Sequence, residues 1–572
     1  MELQPTASLD KGGDTRSADV VSRPQGGYVD RILSSFGPHP NYKPRKATGD
    51  AAFNLEQANV AIAESPLSRR LKGRHLQMIA IGGSIGTGLF VGSGNALRSG
   101  GPAALLIAFA LIGMMLYCVV HALGELAVVF PVAGSFSAYS TRFLDPAWGF
   151  AMGWNYAMQW LVVLPLEIVA AAITIDYWNS PVNKAVWITI FWVLIVAINL
   201  FGVKGYGEAE FVFSLIKVIA VIGFIILGII INCGGGPKGG YIGTMHWHDP
   251  GAFAAGFKGV CAVFVTAAFA FAGTELVGLA AAETANPRKS LPTAIKQVFW
   301  RITLFYIISL TIVGLLVPYT EKRLVGQSSA DAKASPFVIA IENAGIKVLP
   351  SIMNVVIMVA VLSVGNSSVY GSSRTLAALA DQGQAPRIFS YIDRKGRPIV
   401  GIIVASLFGL LGYLAVSKKQ NQAFMWMLAI SGLSSIFTWG SICLAHIRFR
   451  RGWKLQGHSL DELAFKSQPG VIGSWLGFSL NLLVLVAQFW TALWPIGEDP
   501  KAEVFFSSYL AVPVVLVFYF GYKLLFWTSI VRAKDMDLVT GRRELDIAEL
   551  LADERAERAA WPVWKRVYHF FC

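Results

Sequence analysis

Glu275 sits inside an otherwise apolar run broken by glycine, Phe269-Ala270-Phe271-Ala272-Gly273-Thr274-Glu275-Leu276-Val277-Gly278. A carboxylate among so many apolar residues is tolerated in a bilayer only where it faces protein or water, so it reads as functional. A second run, Ile81-Gly82-Gly83-Ser84-Ile85-Gly86-Thr87-Gly88-Leu89-Phe90, packs its glycines densely. Each glycine costs a helix about 1 kcal/mol against alanine, and the spacing predicts that the helix unwinds there. Unwinding leaves the amides of Thr87, Gly88 and Leu89 at the positive end of a half-helix, which suits a carboxylate. The carbonyls of Phe269, Ala270 and Ala272 lie at the negative end of the other interrupted run, which suits an ammonium. Together they describe a receptor for the zwitterionic backbone of an α-amino acid. The plainer alternative is close helix packing through small residues, which needs two glycines rather than a cluster.

Lys217, in Phe213-Ser214-Leu215-Ile216-Lys217-Val218-Ile219-Ala220, is the other ionisable group expected within the membrane. Its two readings are a lysine that snorkels to the surface and a buried lysine that alternates between charged and neutral, as a proton-coupled carrier requires. Asn366 is expected to line the cavity, while Glu125 and Glu167 are read either as functional or as structural partners of basic residues. Other patterns carry less. Gly86-x-Gly88 and Gly92-x-Gly94 lack the preceding strand of a dinucleotide loop. His246-Trp247-His248-Asp249 reads as a solvated turn rather than a metal site, and the scattered cysteines suggest neither a disulfide framework nor a metal cluster.

The elements that must position these groups are membrane helices. The chain has 572 residues, 54% hydrophobic and 15% charged, against about 25% charged in soluble domains. Apolar runs of spanning length fall near 76–97, 102–130, 148–177, 185–202, 210–232, 254–281, 298–318, 348–372, 399–417, 424–446, 472–494 and 505–528. The expected fold is therefore an all-α membrane protein of twelve transmembrane helices, with broken helices 1 and 6 as equivalent members of two inverted five-helix repeats. Repeat one covers about 76–232 and repeat two about 254–446, with helices 11 and 12 at about 472–528, inside a transporter domain of 69–528. Lysine and arginine are denser in the loops on the side of the termini, so both termini are expected in the cytoplasm, with 232–253 and 319–346 outside and 283–297 and 373–398 inside. Residues 1–68 read as a mostly disordered tail. Residues 529–572 read as a C-terminal tail with a surface helix around Leu545, Leu550 and Leu551. Trp148, Trp154, Trp160, Trp178 and Trp187 read mostly as interfacial anchors. The net charge of +13 is topological, with no basic groove for nucleic acid.

The runs Leu76-Gln77-Met78-Ile79-Ala80-Ile81-Gly82-Gly83, Gly124-Glu125-Leu126-Ala127, Phe143-Leu144-Asp145-Pro146-Ala147-Trp148-Gly149-Phe150, Gly153-Trp154-Asn155-Tyr156 and Phe271-Ala272-Gly273-Thr274-Glu275-Leu276 resemble the fungal amino-acid permeases of the amino acid–polyamine–organocation superfamily, above all the general amino-acid permeases of filamentous fungi. The similarity extends through Asn286-Pro287-Arg288-Lys289 and Ser372-Ser373-Arg374-Thr375. The resemblance implies a LeuT-type fold and proton-coupled amino-acid uptake at the plasma membrane, with the proton as coupling ion and no cofactor. It implies that Gly86, Thr87 and Gly88 receive the substrate carboxylate and that Phe269, Ala270 and Ala272 receive the amine. Glu275 would take part in gating or coupling, and Lys217 would occupy the place of a sodium ion. It also implies trafficking or ubiquitination machinery as partners of the tails. Cys572, in Phe570-Phe571-Cys572, is a candidate for lipidation, and His121 departs from the family pattern as a polar packing residue. A sensor on the same fold, or a carrier restricted to one amino-acid class or to polyamines, are the competing readings.

Overall fold

The computed structural model describes residues 34–40, 53–324, 335–416, 420–497, 499–542, 561–563 and 565. Among these the chain forms helices and no β-strand, with isolated bridges at Pro38–Asp393 and Leu71–Thr284. The helices are α1 Leu55–Ala63, α2 Gly73–Gly82, α3 Ser93–Val129, α4 Phe136–Phe143, α5 Pro146–Thr174, α6 Lys184–Leu200, α7 Gly202–Asn232, α8 Gly256–Phe271 and α9 Leu276–Ala280. They continue as α10 Pro287–Arg301, α11 Ser309–Leu316, α12 Pro336–Asn343, α13 Leu349–Asp381, α14 Ile399–Gly409, α15 Gln420–Leu455, α16 Gly470–Leu493, α17 Ala502–Tyr509 and α18 Ala511–Phe526. Local chemistry explains the starts. Asp145 caps α5 through the Ala147 amide, with Pro146 in the first turn, and Asn286 caps α10 through Lys289 N ahead of Pro287.

Among the described residues, eight helical stretches are long and apolar enough to cross a membrane, and Lys184–Leu200, Ile399–Leu414 and Ala511–Phe526 are shorter apolar helices. The stretch Gly88–Val129 has 42 residues. At 1.5 Å per residue it would run about 63 Å, twice the roughly 30 Å of a hydrocarbon core. It bends at Gly101, whose φ of 82° lies outside the helical region and which precedes Pro102. The amides and carbonyls freed by the bend pair with the chain before α8, Ala103 N to Ala252 O at 2.9 Å and Ala254 N to Gly100 O at 2.9 Å. Helices α5, α8 and α13 are buried almost all round and form the centre, whereas α7 and α16 turn apolar faces such as Ile219, Ile226, Leu483 and Val486 outward.

Several boundaries differ from the sequence expectation. Helix α7 starts at Gly202 and α10 at Pro287, each well before the apolar run, because charged residues such as Lys204 and Lys289 end a hydropathy run without ending a helix. The expectation of a disordered segment up to residue 68 fails at α1, where Asn54 caps the Gln57 amide and Ala58, Asn59 and Ile62 bury one face. Beyond α18, residues 531–542 lie against the bundle: Val531 N meets Leu144 O at 2.9 Å, and Arg142 forms an ion pair with Asp537 at 3.0 Å. The surface helix expected near Leu545 lies outside the described residues, as does Cys572.

Candidate functional site at the paired helix breaks

Helix α2 ends at Gly82, and the chain is non-helical through Gly83–Gly86 before resuming at Thr87 and a π-helical turn, Gly88–Gly92, that leads into α3. Helix α8 ends at Phe271. Ala272 then takes φ −57° and ψ 143°, and Gly273 takes φ +96°, a conformation that favours glycine. The two breaks face each other. A Cβ on Gly88 would overlap the Ala270 backbone, and one on Gly273 would stand 3.0 Å from the Gly83 carbonyl oxygen. Gly88 and Ala270, assigned to opposite ends of one substrate backbone, are thus in direct contact. Thr87, Gly88 and Leu89 contribute the first amides of the half-helix that follows the break, those a helix start leaves without an i−4 carbonyl.

Tyr306, from the π-helical turn Ile302–Ile308, ties the breaks together. Its hydroxyl lies 2.8 Å from Ala270 O, 3.1 Å from Ser84 O and 3.0 Å from Ser84 Oγ. Of the carbonyls expected to take the amine, Ala270 O therefore accepts from Tyr306, and Phe269 O accepts from the Ala272 amide at 3.2 Å. Arg301 donates to Ala80 O and to Thr274 Oγ1, so one guanidinium spans α2 and the second break. Glu275 closes that break from within. Its Oε1 accepts from Gly273 N at 3.2 Å and from the Tyr156 hydroxyl at 3.1 Å, and its Oε2 accepts from Trp439 Nε1 at 3.1 Å.

Lys217 is fully buried, which removes the snorkelling reading. Its Nζ donates to Gly82 O at 2.5 Å, the last carbonyl of α2, and to Ser363 Oγ at 2.8 Å, and it lies 3.5 Å from Glu210 Oε1. Glu167 accepts from Thr87 Oγ1, and its Oε1 is buried without a partner. Glu125 is paired with a basic residue: Arg450 and the Ser467 amide hold it. His121 packs between Tyr117 O and Gln468 Oε1, each at 3.1 Å.

Asn366, expected to line the cavity, accepts at Oδ1 from Asn199 Nδ2 of α6 at 2.8 Å, and its Nδ2 is buried without a hydrogen-bond partner. One assignment is corrected. Trp160 is no interfacial anchor, being 1% exposed with its ring 3.4 Å from where a Gly273 side chain would begin. Tyr306, Arg301, Tyr156, Trp439, Ser363 and Glu210 escaped the sequence reading. Arg301 and Glu210 carried a usable signal, a charge next to or inside an apolar run; the others did not.

Interrupted helices whose exposed main chain meets at the centre of an all-helical bundle, with buried ionisable groups around them, define a polytopic membrane transporter. Residues 75–534 match the family model for amino acid permeases. The chain is 60% identical to the general amino-acid permease GAP2 of Candida albicans over 99% of this chain and all of that protein, and 60% identical to the general amino-acid permease GAP1 of Saccharomyces cerevisiae over 90% and 88% respectively. This chain belongs to the amino acid permease family. Among solved structures, a manganese transporter of Eremococcus coleocola aligns with 12% identity and a TM-score of 0.48, over 86% of this chain and 98% of that one.

Proposed function

We propose that this protein is a proton-coupled symporter that carries amino acids of many kinds into the cell across the plasma membrane. On this reading twelve spans form two inverted five-helix repeats of LeuT type, with Gly101 dividing the first two spans and both termini in the cytoplasm. The observation that carries the proposal is the contact of Gly88 with Ala270, which brings the first amides of one half-helix against the last carbonyls of another. Such a site reads the ammonium and carboxylate common to all amino acids and ignores the side chain, which agrees with relatives named general amino-acid permeases. Coupling is assigned to Lys217, whose bond to Gly82 O fastens the inner half-helix α2, with Glu275 holding the second break.

The test is uptake of one labelled amino acid by the purified chain in vesicles, with and without an inward proton gradient, and with each unlabelled amino acid as competitor. The expected result is accumulation above equilibrium only with the gradient, and competition by small, large, acidic and basic amino acids alike. Competition confined to one side-chain class would replace the broad carrier by a specific one, and binding without uptake would replace the carrier by a sensor.

A further inference from the structure

Glu210 has no part in the coupling scheme above, yet it is the carboxylate that forms an ion pair with Lys217, at 3.5 Å. Both lie on α7, two helical turns apart and on one face, and both are fully buried. Ser363 of α13 bridges them. Its hydroxyl accepts from Lys217 Nζ at 2.8 Å and stands 2.7 and 2.8 Å from the two oxygens of Glu210, donating to one of them. Ser214, one turn along α7, reaches Met78 O of α2 at 3.1 Å and Glu210 Oε1 at 3.4 Å. Resting on the proton-coupled reading, we infer that Glu210 is the internal proton acceptor for Lys217, with Ser363 as the relay between them.

The step balances within the site. Ser363 Oγ gives its hydrogen to Glu210 while taking one from Lys217 Nζ; the ammonium and carboxylate become amine and carboxylic acid, and the hydroxyl is restored. Ion pair becomes neutral pair with no net charge moved into or out of the low-dielectric interior, which avoids leaving a lone buried charge. The consequence reaches α2. An ammonium has donors for Gly82 O, Ser363 and Glu210 together, whereas an amine that must accept from Ser363 holds Gly82 O less strongly. The inner half-helix is thereby released when the pair is neutral and fastened when it is charged. The other ionisable neighbours are Glu167 of α5, near enough to act on Lys217, and Tyr206 of α7, near enough to act on Glu210 and stacked on Tyr370 of α13 at 4.2 Å. Tyr370 in turn donates to Glu283, which pairs with Arg374 at 3.2 Å, so that carboxylate already has its own cation.

The experiment uses the full chain in vesicles and reads the accumulation ratio and its dependence on external pH, with substrate binding measured separately by thermal stabilisation. Glu210→Gln should bind substrate yet lose accumulation, its ratio falling to equilibrium, and Glu210→Asp should recover part of it. The double variant Lys217→Met with Glu210→Gln has no charge to neutralise; it should fold but still fail to accumulate. Ser363→Ala should slow accumulation at least tenfold, and Ser363→Thr, which keeps the hydroxyl, should restore it. Wild-type pH dependence in Glu210→Gln would overturn the inference, as would accumulation by the double variant, which would take coupling away from Lys217 and Glu210 together. Should Glu210→Gln fail to fold, unchanged coupling in Ser363→Ala overturns the relay. A wild-type protein indifferent to the proton gradient would instead bring down the coupled reading itself, and that outcome is read on the wild type alone.

Discussion

At the scale of single residues, the site depends on the absence of side chains as much as on their presence. Gly88 stands against the Ala270 backbone, so even one methyl group must push the half-helices apart. Overpacking of this kind costs about 1–3 kcal/mol. Because the contact lies where substrate main chain would bind, Gly88→Ala should weaken every amino acid alike, by about tenfold or more in apparent affinity. Competition curves for acidic, basic and apolar amino acids on surface-expressed protein check this; loss of one substrate with the others untouched would mean that the break does not read the common backbone. Glu275 behaves differently. Its carboxylate already accepts from Gly273 N, Tyr156 and Trp439, which hold the turn of the second break in shape. Glu275→Gln replaces one accepting oxygen by a donor, which cannot serve all three partners. Transport should fall more than tenfold and thermal stability should drop as well, since each stranded buried donor costs about 1–3 kcal/mol; an unchanged melting temperature would argue that the carboxylate is held loosely.

At the scale of elements, the breaks were legible and their fastenings were not. Dense glycine conflicts with helical backbone locally, so Gly82–Gly88 and Gly273 could be read without knowing any neighbour. The groups that clamp them, Tyr306, Trp439 and Ser363, come from helices far along the chain and resemble any other residue of an apolar run. The partner of Asn366 was hidden for a related reason: helix α13 is buried on nearly all sides, so its sequence has no polar face to fix its rotation, and the bond from Asn199 could not be read from it. Glu210 was obscured by a boundary: an apolar run starting at 210 makes it a flanking residue, whereas α7 begins at Gly202 and carries it inside. Tyr306 gives the element-scale prediction. Tyr306→Phe removes the hydroxyl that reaches both Ser84 O and Ala270 O while keeping the ring against Phe271, at 4.0 Å between centroids. The two breaks should then separate more readily, at a cost of about 1–3 kcal/mol for the stranded carbonyls. Transport rate should change by tenfold or more with expression retained, and a variant with wild-type rate would show that Arg301 and packing hold the breaks together without the Tyr306 hydroxyl.

At the scale of the whole molecule, both described tail segments fasten the same face of the bundle. Residues 34–40 lie along the turn before α14: His39 N meets Ile392 O at 3.0 Å, Arg394 N meets Gly37 O at 2.9 Å, and Arg397 covers the Phe36 ring at 4.7 Å. The segment after α18 is gripped by Arg142 of α4, which donates to Asp537 O at 2.6 Å and Thr540 O at 2.8 Å and pairs with the Asp537 carboxylate. Asn59 of α1 donates to that same carboxylate at 3.0 Å, so one side chain joins both tails to the bundle. Burial alone would raise the Asp537 pKa, but Arg142 and the Thr540 and Val539 amides outweigh it and hold the carboxyl below its usual range. Stability from a depressed carboxylate is fully present above its unfolded pKa and is lost only as pH falls through the folded value. The clasp should therefore be indifferent to pH between about 5 and 8, and loosen only in stronger acid. Asp537→Asn should remove it at any of these pH values. Charge-assisted hydrogen bonds of this kind contribute about 1.5–3 kcal/mol, so hydrogen exchange of the amides around 537–540 should speed up roughly tenfold to a hundredfold. Exchange across Leu55–Ala63 should rise with it, because α1 loses the same anchor. Faster exchange in the C-terminal segment with α1 unchanged would mean that Ala58 and Ile62 hold that helix on their own, and exchange unchanged in both would mean that the Arg142 carbonyl bonds suffice without the carboxylate.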